Sequence, residues 1–212
     1  MLHNLFNKNR HITIILLSAV AVICPVLYLY VDLPVAKYIH AHQPEMVRQL
    51  AQSFTGAGNW FLYFLATVAL IGWFVFKNKT VFIQSLFPLL AAAAAGIITT
   101  ILKALVGRWR PKAYFQLDGV YGFDPFHSAH ASWPSGHSSS IMATMAAVAI
   151  LFPKWRVPCF AVAVLIGSTR MALAAHYLSD VFAGLILGYL CAHWLYYLFV
   201  RRKLLPERPS DL

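Results

Sequence analysis

The chain has 212 residues, of which 60% are hydrophobic and only 11% are charged. Soluble domains carry roughly 25% charged residues, so this composition excludes an ordinary soluble protein and indicates that lipid is the solvent. The formal net charge of +10 does not indicate a nucleic-acid partner, because the basic residues are scattered between apolar runs and form no patch with interleaved aromatic residues.

The apolar runs predict an all-α, polytopic membrane protein. Six of them approach the ~20 residues that a helix needs to cross a bilayer, at 12–31, 60–76, 81–102, 138–152, 157–169 and 180–200. The first run is too long for a signal peptide and has no small-residue cleavage pattern, so we expect it to remain as an anchor. We therefore expect residues 1–212 to form one transmembrane domain.

Two segments outside these runs are long enough to form ordered loops, at 32–59 and 107–134. The first contains an apolar helical stripe opposite polar positions, and it predicts a helix lying along the membrane surface. An amphipathic helix packed on the bundle explains the same pattern. The stripe consists of Val47, Leu50, Ala51 and Phe54, opposite Arg48 and Gln52.

The basic residues predict the orientation in a bacterial inner membrane. With both termini in the cytoplasm, the inner side holds Lys8, Arg10, Lys77, Lys79, Lys154, Arg156, Arg201, Arg202, Lys203 and Arg208, as the positive-inside rule requires. The remaining basic residues face outward, close to the apolar segments, and are Lys37, Arg48, Lys103, Arg108, Arg110, Lys112 and Arg170.

Two clusters of polar residues lie at the ends of apolar runs on this outer face. Lys103 and Arg110 stand at the end of the third run, where Pro111 stops the helix and orients the arginine; Lys103 considered alone also fits a lysine that snorkels to the interface. Ser135 and Gly136 precede the fourth run, and amides at a helix start bind anions. A plain N-cap explains Ser135 but not the histidine that follows.

His137 follows Gly136 and completes the second cluster. A third cluster, Arg170, His176 and Asp180, flanks the start of the sixth run. The four-residue spacing of His176 and Asp180 predicts that they share a helical face, with the carboxylate holding one ring nitrogen. A structural His–Asp pair is the alternative.

This set of groups is suited to phosphoryl transfer. Fixed cations and helix-start amides stabilise the charged oxygens of phosphate, while one histidine attacks and the other protonates the leaving oxygen. No group of carboxylates would hold magnesium, so we expect chemistry without a metal or cofactor. His127 and His130 lack further ligands and make a weak zinc site. His193 lies deep in the sixth run and is expected to be a hydrogen-bonded packing residue, and the cysteines at 24, 159 and 191 are expected to be small buried hydrophobic residues.

The three clusters together resemble the signature of the type 2 phosphatidic acid phosphatases. Its parts are Lys103 with Arg110-Pro111, then Pro134-Ser135-Gly136-His137, then Arg170, His176 and Asp180, within a region from 81 to 200. Thr169 stands where the family commonly has serine. The resemblance implies that His176 is the nucleophile, that Asp180 orients it, and that His137 is the general acid. It implies that Lys103, Arg110, Ser135, Gly136 and Arg170 bind phosphate.

The predicted function is that of an integral-membrane lipid phosphatase with its active site at the outer surface. The candidate substrates are phosphatidylglycerophosphate, phosphatidic acid, undecaprenyl diphosphate and the phosphates of lipid A. One alternative is a lipid phosphotransferase that uses the same phosphoenzyme. Another is a lipid transporter or flippase, although transport sites lie near the membrane midplane and these charges gather at one face.

Overall fold

The computed structural model describes residues 2–75, 77–117, 119–126 and 131–206. Within these ranges the chain is helical and has no β-strand, which confirms the all-α prediction. The helices are α1 (Leu2–Tyr30), α2 (Asp32–His42), α3 (Glu45–Phe74), α4 (Lys79–Val106), α5 (Pro111–Gln116), α6 (Gly136–Leu151), α7 (Arg156–Ala172) and α8 (Leu178–Arg201), with a 3₁₀ turn at Pro153–Trp155.

The six predicted apolar runs fall in six different helices, namely α1, α3, α4, α6, α7 and α8. Among the described residues, three helices are long and apolar enough to cross a membrane: His3–Tyr30, Lys79–Val106 and Leu178–Arg201. Gly136–Leu151 is a shorter apolar helix. The three cysteines are free and buried, as predicted.

The first loop differs from the predicted arrangement. Residues 47–54 do not form a separate helix, because α3 runs without interruption from Glu45 to Phe74 and includes the second apolar run. No proline interrupts this stretch, so Gly56 is accommodated inside the helix at the usual cost of about 1 kcal/mol. The short helix α2 occupies the start of the loop instead.

Helix α6 is the centre of the bundle and packs against α4, α7 and α8. Of its 16 residues, 12 are buried. Helix α8 approaches it most closely at Gly184 and Gly188, where an added Cβ would lie 2.5 Å from the Ser135 carbonyl oxygen and 2.1 Å from that of Ser139. Small residues four apart allow such close backbone packing. The contact places Asp180, one turn before Gly184, beside the start of α6.

Gly107 ends α4 and turns the chain toward the site. It adopts a left-handed conformation with φ of 59°, and its amide donates to the Lys103 carbonyl, as expected for a helix C-terminal glycine. A Cβ there would overlap the Asp124 carbonyl. The turn sends Arg108 back into the protein, where its side chain is only 2% exposed.

Candidate active site

His176 is buried in the connection between α7 and α8, with 4% of its surface exposed. The predicted pairing of His176 with Asp180 is present, but the two residues do not share a helical face, because α8 begins at Leu178 and His176 precedes it. Asp180 instead reaches back over the helix start, and its Oδ2 accepts a hydrogen bond from the Tyr177 amide at 2.8 Å. His176 Nδ1 lies 3.7 Å from that Oδ2, beyond ordinary hydrogen-bond length.

Ser132 bridges the histidine and the carboxylate. Its hydroxyl donates a short hydrogen bond to Asp180 Oδ2 and lies 3.2 Å from His176 Nδ1. A hydroxyl has one proton and a carboxylate only accepts, so Ser132 accepts from a protonated Nδ1. The Nε2 nitrogen of His176 therefore carries the lone pair.

Burial controls the protonation of His176. It lowers the pKa of the imidazole to about 4, while the neighbouring Asp180 acts in the opposite direction. An imidazole is ordinarily half protonated near pH 6.5. His176 is thus neutral at physiological pH, and one of its ring nitrogens keeps a lone pair.

Three predicted cations converge near this histidine. Lys103 Nζ donates to the carbonyl oxygens of Ala131 and Ser132 at 2.7 and 3.1 Å. Arg110 Nε and Nη2 each lie 3.4 Å from the Ala131 carbonyl. Arg170 contacts the Thr55 hydroxyl at 3.5 Å, and its buried Nε has no hydrogen-bond partner among the described residues. A buried unpaired donor is costly, and an anion oxygen would satisfy it.

The start of α6 contributes Ser135, Gly136 and His137. The Ser135 hydroxyl is fully buried and caps the helix, accepting from the Ser138 amide at 3.4 Å and from the Ser138 hydroxyl at 2.8 Å. Both bonds use the oxygen of Ser135 as an acceptor, so capping leaves its hydroxyl proton for a further acceptor, and its contact with phosphate stays a prediction. Gly136 and exposed His137 open the first turn, where helix amides lack intrahelical acceptors.

A cavity of about 270 Å³ extends from this turn between the helices, and we call it the interhelix cavity. Lys103, Gly136 and His137 line it at the start of α6. Gly96, Ile141 and Ile166 also line it, together with five hydroxyl side chains: Thr55, Thr99, Thr100, Ser140 and Thr144. Gly96 is seven residues before Lys103 on α4, which is about 10 Å along a helix. The cavity thus extends along α4 from the charged groups, and both hydroxyl and apolar side chains line it.

Arg108 lies behind the site and was not among the predicted site residues. It donates to Asp180 at 2.6 Å, to Ser179 at 2.7 Å and to Asp32 at 2.8 Å. Asp32 also accepts from the Ser179 amide at 3.0 Å. Burial alone would lower the pKa of Arg108, but the two carboxylates outweigh burial and raise it. The arginine is thus a permanent positive charge that supports Asp180 from inside.

Sequence reasoning missed other partners for the same reason: they are ordinary polar residues far away in the chain. Ser132 lies two residues before Pro134, where the second motif begins, and nothing in its type distinguishes it. Thr169 faces α3, where its hydroxyl contacts Thr55 at 2.8 Å. His193 is a packing residue as predicted, with Nδ1 2.9 Å from the Tyr189 carbonyl. The weak zinc prediction at 127 and 130 lies outside the described residues.

Comparison with known families agrees with this arrangement. A model of the PAP2 superfamily matches residues 84–204. The chain belongs to the PAP2 superfamily. The matched region includes all three motif clusters, so the resemblance inferred from them is confirmed, as is the predicted enzyme class of phosphoric ester hydrolases.

Two relatives bear the name lipid A 1-phosphatase. The protein from Rhizobium johnstonii is 36% identical over 159 residues, covering 68% of this chain and 65% of the relative. The protein from Rhizobium etli is 35% identical over 162 residues, covering 70% and 69%. The chain thus matches about two thirds of the length of each relative.

A solved structure shares the fold. The PAP2-type phosphatidylglycerolphosphate phosphatase from Bacillus subtilis aligns with a TM-score of 0.69 over 95% of this chain and 99% of its own. The two sequences are 21% identical, so the likeness concerns the fold alone. It supports a multi-pass membrane protein.

Proposed function

We propose that this protein is an integral-membrane lipid phosphatase that acts through a phosphohistidine on His176. The observation that carries the proposal is the buried, neutral His176 whose Nδ1 contacts Ser132, beside three cations. This leaves Nε2 as the reactive atom. The proposal includes the role of Lys103, Arg110 and Arg170 in binding the phosphate oxygens.

The reaction proceeds in two displacements. Nε2 of His176 forms a bond to phosphorus while the bond to the lipid oxygen breaks, and His137 gives that oxygen a proton. Burial and the neighbouring Arg170 lower the pKa of His137 to about 4, and the negative charge of a bound phosphate acts against them and favours the protonated imidazole that this step requires. Water then attacks the phosphohistidine, His137 takes the water proton, and inorganic phosphate leaves. Asp180 stabilises the positive charge on the imidazole, as a carboxylate does in other histidine-based sites. No metal or cofactor is needed in this scheme.

The favoured substrate is the 1-phosphate of lipid A. Two relatives at 36% and 35% identity bear that activity in their names, whereas the phosphatidylglycerolphosphate phosphatase shares the fold at 21% identity. The interhelix cavity supports a lipid substrate, because Lys103 and His137 line it together with Ile141 and Ile166. A phosphate bound at the cations would leave room in this cavity for the adjoining part of the lipid.

We further propose six membrane spans, with both termini in the cytoplasm and the site at the outer surface of a bacterial inner membrane. The ends of α4 and α7 and the starts of α6 and α8 carry the site residues, so the site lies at one end of the bundle. Lys37→Cys should react with a membrane-impermeant maleimide added outside intact cells, and Lys154→Cys should react only after lysis. The reverse pattern would invert the proposed orientation.

Trapping of the phosphoenzyme tests the mechanism. Purified protein in detergent is mixed with lipid A carrying ³²P at position 1 and quenched in alkali, which preserves phosphohistidine. His176→Ala should abolish the covalent label and phosphate release. His137→Ala should slow turnover by about 10²–10⁴-fold. Exposed His11 on α1 provides the matched control, and His11→Ala should label and turn over as the wild type does.

The products distinguish hydrolysis from transfer. Inorganic phosphate equal to the dephosphorylated lipid supports a phosphatase, and ³²P recovered in a second lipid would show a phosphotransferase instead. Normal turnover by His176→Ala would disprove the nucleophile assignment.

A further inference from the structure

A second cavity borders His176 on the side of the extramembrane segments. It has a volume of about 320 Å³ and lies between α2, the start of α3, α5 and residues 171–178. We call it the loop cavity. Ligand sites commonly have volumes of about 300–1,000 Å³, so it is large enough for part of a lipid headgroup.

Two basic residues that the catalytic motifs do not include line the loop cavity, Arg48 and Lys112. Lys112 is held close to the nucleophile, because its amide donates to the Ala174 carbonyl at 3.0 Å. Glu45 also lines the cavity, 3.9 Å from Arg48, but both of these side chains are more than half exposed. Exposed pairs of this length contribute little, so Arg48 remains available to an anion.

The position of Arg48 relative to the phosphate site follows from helix geometry. Arg48 and Thr55 are seven residues apart on α3, so they lie on the same face and about 10 Å apart along the axis. Thr55 contacts Arg170 at the phosphate site. Arg48 is therefore too far away for the same phosphate and suitably placed for a second anionic group of one headgroup.

Gln43 gives a separate indication of a polar ligand. It lines the loop cavity, and its buried Nε2 has no hydrogen-bond partner among the described residues. Buried polar groups are nearly always hydrogen-bonded. An oxygen of a sugar or phosphate in the cavity would satisfy this donor, whereas an acyl chain would not.

We propose that the loop cavity is a headgroup site for a saccharide that carries a second phosphate, which Arg48 and Lys112 bind while the scissile phosphate reaches His176. This inference rests on the proposed phosphatase function and specifies its substrate class. It predicts a preference for lipids phosphorylated at both ends of a sugar headgroup over lipids with one phosphate.

The test compares two substrates and two variants. The substrates are lipid A with a phosphate at both ends of its disaccharide and the same lipid with only the 1-phosphate, and kcat/KM for release of the 1-phosphate is measured on each. In the double variant Arg48→Gln/Lys112→Gln, the ratio of the two kcat/KM values should fall about tenfold, the factor that two partly exposed charge contacts supply together. Both side chains are exposed, so the fold should be retained, and a melting curve in detergent checks this.

Lys37→Gln is the matched control. Lys37 is an exposed cation whose Nζ lies over the Tyr114 ring at 5.1 Å, so its removal changes net charge without changing the loop cavity, and it should leave the ratio as in the wild type. The wild-type ratio should also decrease with added salt, and the double variant should lose that dependence.

Three outcomes would contradict the inference. An unchanged ratio in the double variant, with an active wild type, disproves the headgroup site alone. An equal fall in the ratio for Lys37→Gln shows a general charge effect and also disproves it. A wild type that releases phosphate from neither lipid disproves lipid A as the substrate, and the headgroup site with it, whereas phosphate release from another candidate lipid would leave the phosphatase function standing.

Discussion

Replacement of Arg108 by methionine tests the buried support of the site. Arg108 is 2% exposed and donates to Asp180 at 2.6 Å and to Asp32 at 2.8 Å. Methionine keeps much of the side-chain volume but leaves two buried carboxylates without their cation. Removal of one partner from a buried ion pair costs about 3–5 kcal/mol. We therefore expect the melting temperature in detergent to fall by roughly 10 °C or more.

The same change should slow catalysis. A hydrogen bond to a charged group is worth about 1.5–3 kcal/mol, which corresponds to about 10–100-fold in kcat if it acts in the transition state. Arg108 acts through Asp180 and is a positioning residue, so we expect KM to change by less than about twofold. Phosphate release and thermal unfolding in the same detergent measure the two effects.

Asp32→Asn is the matched comparison, because it removes one charge and preserves the shape of the side chain. It leaves the contact of Arg108 with Asp180 in place, so its kcat should fall less than that of Arg108→Met. The double variant Arg108→Met/Asp32→Asn should lose less free energy of unfolding than the sum of the two single losses, because asparagine leaves no unpaired charge at position 32. If Arg108→Met melts within about 2 °C of the wild type and keeps its kcat, the network does not support the site.

Three other properties follow from the structure. Gly188→Ala should lower the melting temperature by several degrees, since its Cβ would overlap the Ser139 carbonyl. Gly56→Ala faces open space and should stabilise α3 by about 0.5–1 kcal/mol. Equal melting temperatures of the two variants would contradict the close packing of α6 and α8. Because burial lowers the pKa of His176 to about 4, kcat/KM should decline as pH falls through about 4, and an acid limb at its ordinary pKa of 6.5 would contradict a buried nucleophile. The unfolded chain binds that proton near pH 6.5, so the free energy of unfolding should decrease between pH 6.5 and 4. EDTA should leave turnover unchanged, because cations of the chain neutralise the phosphate. A loss of turnover on addition of EDTA would show that a metal is required.

The motif residues were predictable because their chemistry is visible locally. Lys103, Arg110 and Arg170 interrupt or end apolar runs, where charges are expensive. The structure places Lys103 and Arg110 near His176 and Arg170 near those two cations. The histidine itself was found for the same reason. The conformation of His176 was not predicted. The spacing to Asp180 indicated that both residues lie in one helix, whereas α8 starts at Leu178 and Asp180 caps its first turn.

The interfacial helix shows another limit of periodicity. The stripe at 47–54 was read correctly as helical, but periodicity does not reveal whether neighbouring helical segments join. Helix α3 continues through both segments, since no residue between them stops a helix and α3 packs along α4 and α7.

Membrane solvent, helical class and phosphate chemistry follow from the order of residues, because each depends on run length or on side chains that are near one another in the chain. The buried ion pairs that support that chemistry do not follow from the order of residues. Asp32 and Arg108 are 76 residues apart, and nothing in the sequence marks them as a pair. They meet here because Gly107 reverses the chain and because Asp32 binds the start of α8 through the Ser179 amide and hydroxyl. A buried charge needs its partner at hydrogen-bond distance, and that distance is a property of helix packing.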